Sequence, residues 1–172
     1  MVGEGAAALV RRALTAARID VHIEADLPRF LEIYDEHLLD HTTLYPGTAE
    51  MLEALRHRAT LSVLTNKPQR ATERILHGLR IASAFDRIIG GDTAHGRKPA
   101  PEGLQWLMRD ANATGVETTL VGDSVIDLRT ARAAGVRFCL VRYGFGFESL
   151  TAELSENEMT VDSPRGLAAA LA

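Results

Sequence analysis

Four short apolar runs, separated by helical stretches, constrain this chain more than any other feature. They are TLSVLT at 60–65, DRIIGG near 86–91, TTLVG at 118–122 and VRFCLV at 136–141. None alternates apolar with polar residues, so each is expected to be buried on both faces, as in a parallel sheet covered by helices. Helical patterns fall between them at 48–57, 69–79, about 101–110 and 125–134, the last closed by Gly135. A final short strand, MTV at 159–161, precedes a helix opened by Ser163 and Pro164, with proline suited to a first helical position. This β-α-β-α cadence predicts an α/β fold: a Rossmann-like parallel sheet with helices on both faces.

The first 40 residues follow a different period. Ala6, Leu9, Val10, Ala13, Leu14 and Ala17 recur at helical spacing, as do Leu27, Phe30, Leu31, Tyr34 and Leu38 beyond a break at 19–28. Two amphipathic helices are expected there. The turn LYPGT follows, with Thr48 as a plausible N-cap, so the chain divides into a helical unit at 1–43 and an α/β unit at 44–172.

Bulk properties narrow the function classes. The 172 residues suffice for one ordinary core and a small subdomain. A net charge of −4, with lysines and arginines scattered, gives no electrostatic reason for a nucleic-acid or anionic-membrane partner, and a small substrate is expected instead. No window approaches the roughly 18 apolar residues of a membrane span. GAAALV precedes Arg11 and Arg12, the reverse of a secretory leader's order, so a cytoplasmic location is the expectation. The single cysteine, Cys139, lies inside VRFCLV and reads as an inert core thiol.

Open parallel sheets bind ligands beyond the carboxyl ends of their strands. The polar residues there are Thr65, Asn66 and Lys67 after the first strand, and Asp123, Ser124 and Asp127 after the third, with Lys98 in the long loop GDTAHGRKPAPEG. Each has a plain structural reading. Asp123 could cap a helix, worth about 0.5 to 2 kcal/mol. Asp127 could serve the helix dipole, worth about 0.3 to 1 kcal/mol. Thr65 could be a strand-end cap and Lys98 a solvated loop lysine. Read together they suggest more: two carboxylates on one lip suit a hard cation such as Mg²⁺, Asn66 and the amides opening the next helix favour an anion, and Lys98 could neutralise a phosphate.

The remaining distinctive residues add little. His37, His41, His95 and the other histidines lack metal-ligand spacing and read as surface or helix residues. Trp106 sits beside Leu107 on an apolar face and is expected in the core. RYGFG, with Gly144 and Gly146, could be a strand exit or a rim of the site.

Thr65 in LTNKP, Lys98 in GRKPAPEGL and Asp123 with Asp127 in VGDSVIDLRTARAAG resemble, in order and spacing, three motifs of the haloacid dehalogenase superfamily, phosphoglycolate phosphatase type. The resemblance covers nearly the whole chain. It implies a Mg²⁺-dependent phosphomonoesterase acting on a small phosphorylated metabolite. Thr65 and Lys98 would be catalytic; Thr65, Asn66 and Lys98 would bind phosphate; Asp123 and Asp127 would hold the metal. The two N-terminal helices would belong to an α-helical cap, here partial.

One departure matters. That family's first motif, D-x-D-G-T, supplies a nucleophilic and an acid/base aspartate at the end of a central strand, and no two aspartates of this chain are spaced D-x-D. The resemblance therefore implies an aspartyl-phosphate mechanism whose nucleophile is not in this sequence, and a core whose central first strand is absent. A truncated copy, or a start placed roughly 45 residues downstream, is the expectation. The two strands flanking the vacancy must then pair directly, borrow a strand, or leave backbone groups open, so self-association through the incomplete sheet is a further expectation. A phosphomutase-type relative and a catalytically inactive phosphate/metal-binding or association module are the alternatives.

Overall fold

The structure, a computed structural model, describes residues 5–150, 153–156 and 158–171. The helices are α1 (Ala6–Ala16), α2 (Ile23–Glu36), α3 (Thr48–Arg56), α4 (Gln69–Gly78), α5 (Glu102–Asp110), α6 (Val125–Ala134) and α7 (Pro164–Ala170). The strands are β1 (Ser62–Leu64), β2 (Arg87–Ile89), β3 (Thr119–Gly122), β4 (Arg137–Val141) and β5 (Met159–Val161), and every pairing is parallel. Two short 3-10 turns, Ala82–Ala84 and Phe147–Ser149, were not foreseen. Among the described residues no helix is long and apolar enough to cross a membrane.

Local chemistry explains most boundaries. Helix α6 starts on a reciprocal capping box, with Ser124 and Asp127 each satisfying the other's backbone amide, and ends at Gly135 in the left-handed region (φ 70°). At α7 the Ser163 hydroxyl accepts from the Gly166 amide at 3.1 Å, with Pro164 in the first turn. Two expectations need correction. The cap of α3 is Gly47, at φ 84°, rather than Thr48, because the Pro-Gly turn needs a left-handed residue there. Helix α2 begins at Ile23, inside the supposed break, and contains Pro28 near its start; the Asp26 carboxylate accepts the His22 amide at 2.8 Å and steadies that end.

Helices do cover both faces of the sheet. In β4, Phe138 and Leu140 face a core with Leu104 of α5 and with Leu128 and Ala131 of α6, while Cys139 and Val141 face the opposite side with Val161 and Leu167. Full burial of one such leucine contributes about 1.5–3 kcal/mol. Leu128 and Leu140 have no exposed surface. Burial also pushes the Cys139 thiol up to about 11, as expected of an inert core cysteine.

The sheet is not continuous. It consists of β1–β2 and β3–β4–β5, and β1 and β3 do not pair. Between them runs a groove of about 890 Å³, lined by Val63 and Leu64 on one side, Leu120 and Val121 on the other, and by Leu52, Leu55, Leu104 and Leu107 of α3 and α5. The expectation that every strand is buried on both faces therefore holds for β4 but fails at the groove. Ser62 is exposed, Val63 and Leu64 are half-buried, and Val121 is 36% exposed, because each lacks a neighbouring strand on that side.

Helices α1 and α2 pack on each other, and α2 reaches α4 through Asp35, which pairs with Arg74 and, at 3.4 Å, with Arg70. A methyl group on Gly78 would lie 2.4 Å from Leu39 Cδ1, so the helical pair approaches α4 closely where α4 ends.

Candidate functional site

Apart from Asp123, the polar residues predicted at the strand ends are linked by their hydrogen bonds and by neighbouring positions in the chain. Thr65 extends β1, its amide donating to the Ile89 carbonyl at 2.9 Å. Its Oγ1 accepts from the Lys67 amide at 3.2 Å, which leaves the hydroxyl proton free to donate. Asn66 is buried, and its Nδ2 donates to the Lys98 carbonyl at 2.8 Å, tying the first strand end to the long loop. Lys98 Nζ meets Asp127 Oδ1 at 2.6 Å, with side-chain exposures of only 14% and 7%. The other carboxylate oxygen, Oδ2, accepts from the Ser124 amide at 3.1 Å and the Ser124 hydroxyl at 2.6 Å.

Both Asp127 oxygens accept bonds from its neighbours, Oδ1 from Lys98 and Oδ2 from Ser124, so the carboxylate is the counter-ion of that lysine as well as part of the α6 cap. Lys98 spends one of its three N–H donors on Asp127, which leaves two for an oxyanion.

Asp123 is held differently. Its Oδ2 accepts the Phe145 amide at 2.7 Å, and among the described residues Oδ1 has no hydrogen-bond partner. Phe145 belongs to RYGFG, which is thus a rim of the site. Glycine is required there by close approach: a Cβ on Gly144 would stand 2.3 Å from both Cβ and Oδ2 of Asp123.

A hard cation fits this donor set in a limited way. Asp123 offers one anchored carboxylate with an open oxygen, and Mg²⁺ commonly takes one or two carboxylates, with waters and substrate phosphate completing its sphere. Among the described residues no group of three or more histidines, cysteines, aspartates or glutamates is placed to hold a metal.

The anion seat expected at the start of α4 is largely occupied. The Gln69 amide is taken by Asp92 Oδ1 at 2.7 Å, the Lys67 amide by Thr65, and Pro68 has no amide to offer. The Thr65 hydroxyl and the Lys98 ammonium remain as groups able to donate to an anion. Trp106 also differs from expectation. It is only half-buried and packs against His95, ring centroids 4.5 Å apart, bracing the loop that carries Lys98. The other histidines behave as surface residues, with His37 on Asp40 at 2.6 Å and His57 on Glu53 at 3.0 Å.

Sequence reasoning missed Asp92, which acts across a contact between distant segments. It also missed the part of Tyr34 of α2, whose hydroxyl meets Lys67 Nζ with the ammonium 4.8 Å from the ring centroid. The pair of glycines after β2 was a usable signal. A Cβ on Gly90 would lie 2.4 Å from the Gln69 backbone and one on Gly91 2.5 Å from the Asn66 carbonyl oxygen, so both admit the loop bearing Asn66.

The sequence model of the haloacid dehalogenase-like hydrolase family matches residues 9–141. The chain is 38% identical over 156 residues to a phosphoglycolate phosphatase of Rhodospirillum rubrum, covering 86% of this chain and 65% of that protein. It is 38% identical over 167 residues to a phosphoglycolate phosphatase of Chromobacterium violaceum, covering 92% and 74%. The chain thus spans about two thirds of the length of these relatives. A crystal structure of a predicted phosphoglycolate phosphatase from Haemophilus somnus 129pt matches with a TM-score of 0.89 at 27% identity, covering 99% of this chain and 79% of that one.

Proposed function

We propose, from the premise that this chain belongs to the haloacid dehalogenase-like hydrolases, that it carries the phosphate- and metal-holding side of a Mg²⁺-dependent phosphomonoesterase. The substrate class is a small phosphorylated metabolite, with phosphoglycolate the leading candidate. One observation carries the reading: a nearly buried Lys98, fixed by Asp127 and Asn66 beside Thr65, is a prepared cation at a strand end. Burying a lysine costs free energy unless its charge is met. Asp127 meets it in the resting protein, and a phosphoryl group would share it.

The residues divide the work. The Thr65 hydroxyl would donate to a phosphoryl oxygen and Lys98 would neutralise developing negative charge. Asp123 would ligate Mg²⁺, which when bound would shield the phosphate and orient it. Asp127 and Ser124 would hold Lys98 in place. The aspartate that attacks phosphorus in this mechanism has no D-x-D counterpart in the sequence. The chain by itself is accordingly expected to bind phosphate without hydrolysing p-nitrophenyl phosphate at a measurable Mg²⁺-dependent rate. Phosphorus NMR titration with inorganic phosphate and Mg²⁺ tests the binding. Line broadening lost in Thr65→Ala and Lys98→Met supports the site, and unchanged broadening in both removes it. Turnover abolished by Asp123→Asn would show that another nucleophile operates.

The groove favours a second reading, an association module. Two parallel edges with unmatched ladders across an apolar channel suit strand exchange with another copy of the chain. Light scattering at increasing concentration tests this: a strictly monomeric chain excludes it.

A further inference from the structure

We infer that Lys67 recognises a carboxylate at the far end of the substrate, so that the site selects phosphomonoesters bearing a carboxylate a few bonds from phosphorus. This inference rests on the phosphomonoesterase reading above. Lys67 follows Asn66 directly and is half-buried. Its ammonium reaches α2, where it meets the Tyr34 hydroxyl and sits 4.8 Å from the ring centroid, while Phe30 stacks on Tyr34 with centroids 5.7 Å apart. Lys98 meets a different partner, Asp127 of α6. Two lysines therefore flank Asn66, one turned toward the helical pair and one toward the third strand end.

Their charges are balanced unequally. Lys98 has Asp127. Arg70 and Arg74 of α4 share Asp35. Lys67 has no carboxylate partner among the described residues; a phenol and an aromatic face orient its charge without neutralising it. A half-buried cation held in one place by neutral groups is poised for an anion. The phosphoryl group is provided for by Thr65 and Lys98, so the anion that suits Lys67 is a second one on the same substrate. The Phe30 and Tyr34 rings would cover the short carbon link between the two. A free carboxylate two carbons into the ester, as in 2-phosphoglycolate, has this chemistry; a plain alkyl phosphate lacks it.

Calorimetric titration of the 172-residue chain in Mg²⁺ with 2-phosphoglycolate, ethyl phosphate and inorganic phosphate tests the inference. A charge-assisted hydrogen bond at this position corresponds to a preference of about tenfold or more for 2-phosphoglycolate over ethyl phosphate. Lys67→Met is expected to erase that preference with inorganic phosphate affinity unchanged, and Lys67→Arg to retain most of it. The inference is overturned if the preference survives Lys67→Met, or if that variant weakens all three ligands equally, as a phosphate-binding lysine would. A wild-type chain that binds ethyl phosphate and inorganic phosphate with no preference for 2-phosphoglycolate refutes this inference alone. One that binds none of the three refutes the phosphomonoesterase reading with it.

Discussion

Lys98→Met is the substitution that most severely tests the proposed architecture of the site. Lys98 and Asp127 are 14% and 7% exposed at 2.6 Å, so removing the ammonium leaves a carboxylate facing a largely dry interior. Breaking a buried pair in this way costs about 3–5 kcal/mol. Asp127 keeps two bonds from Ser124, which places the expected loss near the lower bound, at about 3 kcal/mol. For a chain of 172 residues that corresponds to a fall in Tm of about 6–12 °C. Urea denaturation followed by circular dichroism measures it. The double variant Lys98→Met with Asp127→Asn should recover part of the loss, because no unpaired charge remains, giving a coupling energy of about 1–3 kcal/mol. A loss below about 0.5 kcal/mol, the range of ordinary surface substitutions, or strict additivity in the double variant would refute the reasoning.

Two further outcomes follow from the structure. Gly144→Ala would drive a methyl group to 2.3 Å from Asp123, so it should cost about 1–3 kcal/mol and weaken Mg²⁺ binding measured by calorimetry; wild-type behaviour in both would show that the RYGFG loop does not brace Asp123. For Glu158, burial is the largest single influence and raises its carboxyl, but the Arg132 guanidinium and the Ser155 amide together outweigh it and hold the group below its ordinary 4.5. A depressed folded value contributes stability that is full above the unfolded value and is lost as pH falls through the folded one. The stability gap between wild type and Glu158→Gln should therefore close on acidification below about pH 4.5, and a gap unchanged between pH 7 and pH 3 would contradict this.

Much of the fold could be read before the structure because its signals are local. FCLV at 138–141 is apolar throughout since β4 has helices on both faces, and the capping of α6 and α7 is written in Ser124, Asp127, Gly135, Ser163 and Pro164. The candidate site was legible as a set of residue types at strand ends, and the structure does join Thr65, Asn66, Lys98 and Asp127. How their bonds are shared was not legible. Asp127 can be a metal ligand or a lysine's counter-ion with the same neighbours in sequence, and only the approach of the 90–100 loop to α6 separates these roles. Asp92 at the start of α4, Tyr34 at Lys67 and Gly144 at Asp123 likewise depend on segments far apart in the chain.

The central claim is that Thr65, Lys98 and Asp123 form one side of a phosphate and Mg²⁺ site. A crystal structure of the chain grown with Mg²⁺ and tungstate, an oxyanion mimic of phosphate, tests it most directly. The account predicts the oxyanion on the Thr65 hydroxyl and Lys98 Nζ, with Mg²⁺ on Asp123. An oxyanion bound elsewhere, with the Lys98–Asp127 pair undisturbed and no cation at Asp123, would contradict it.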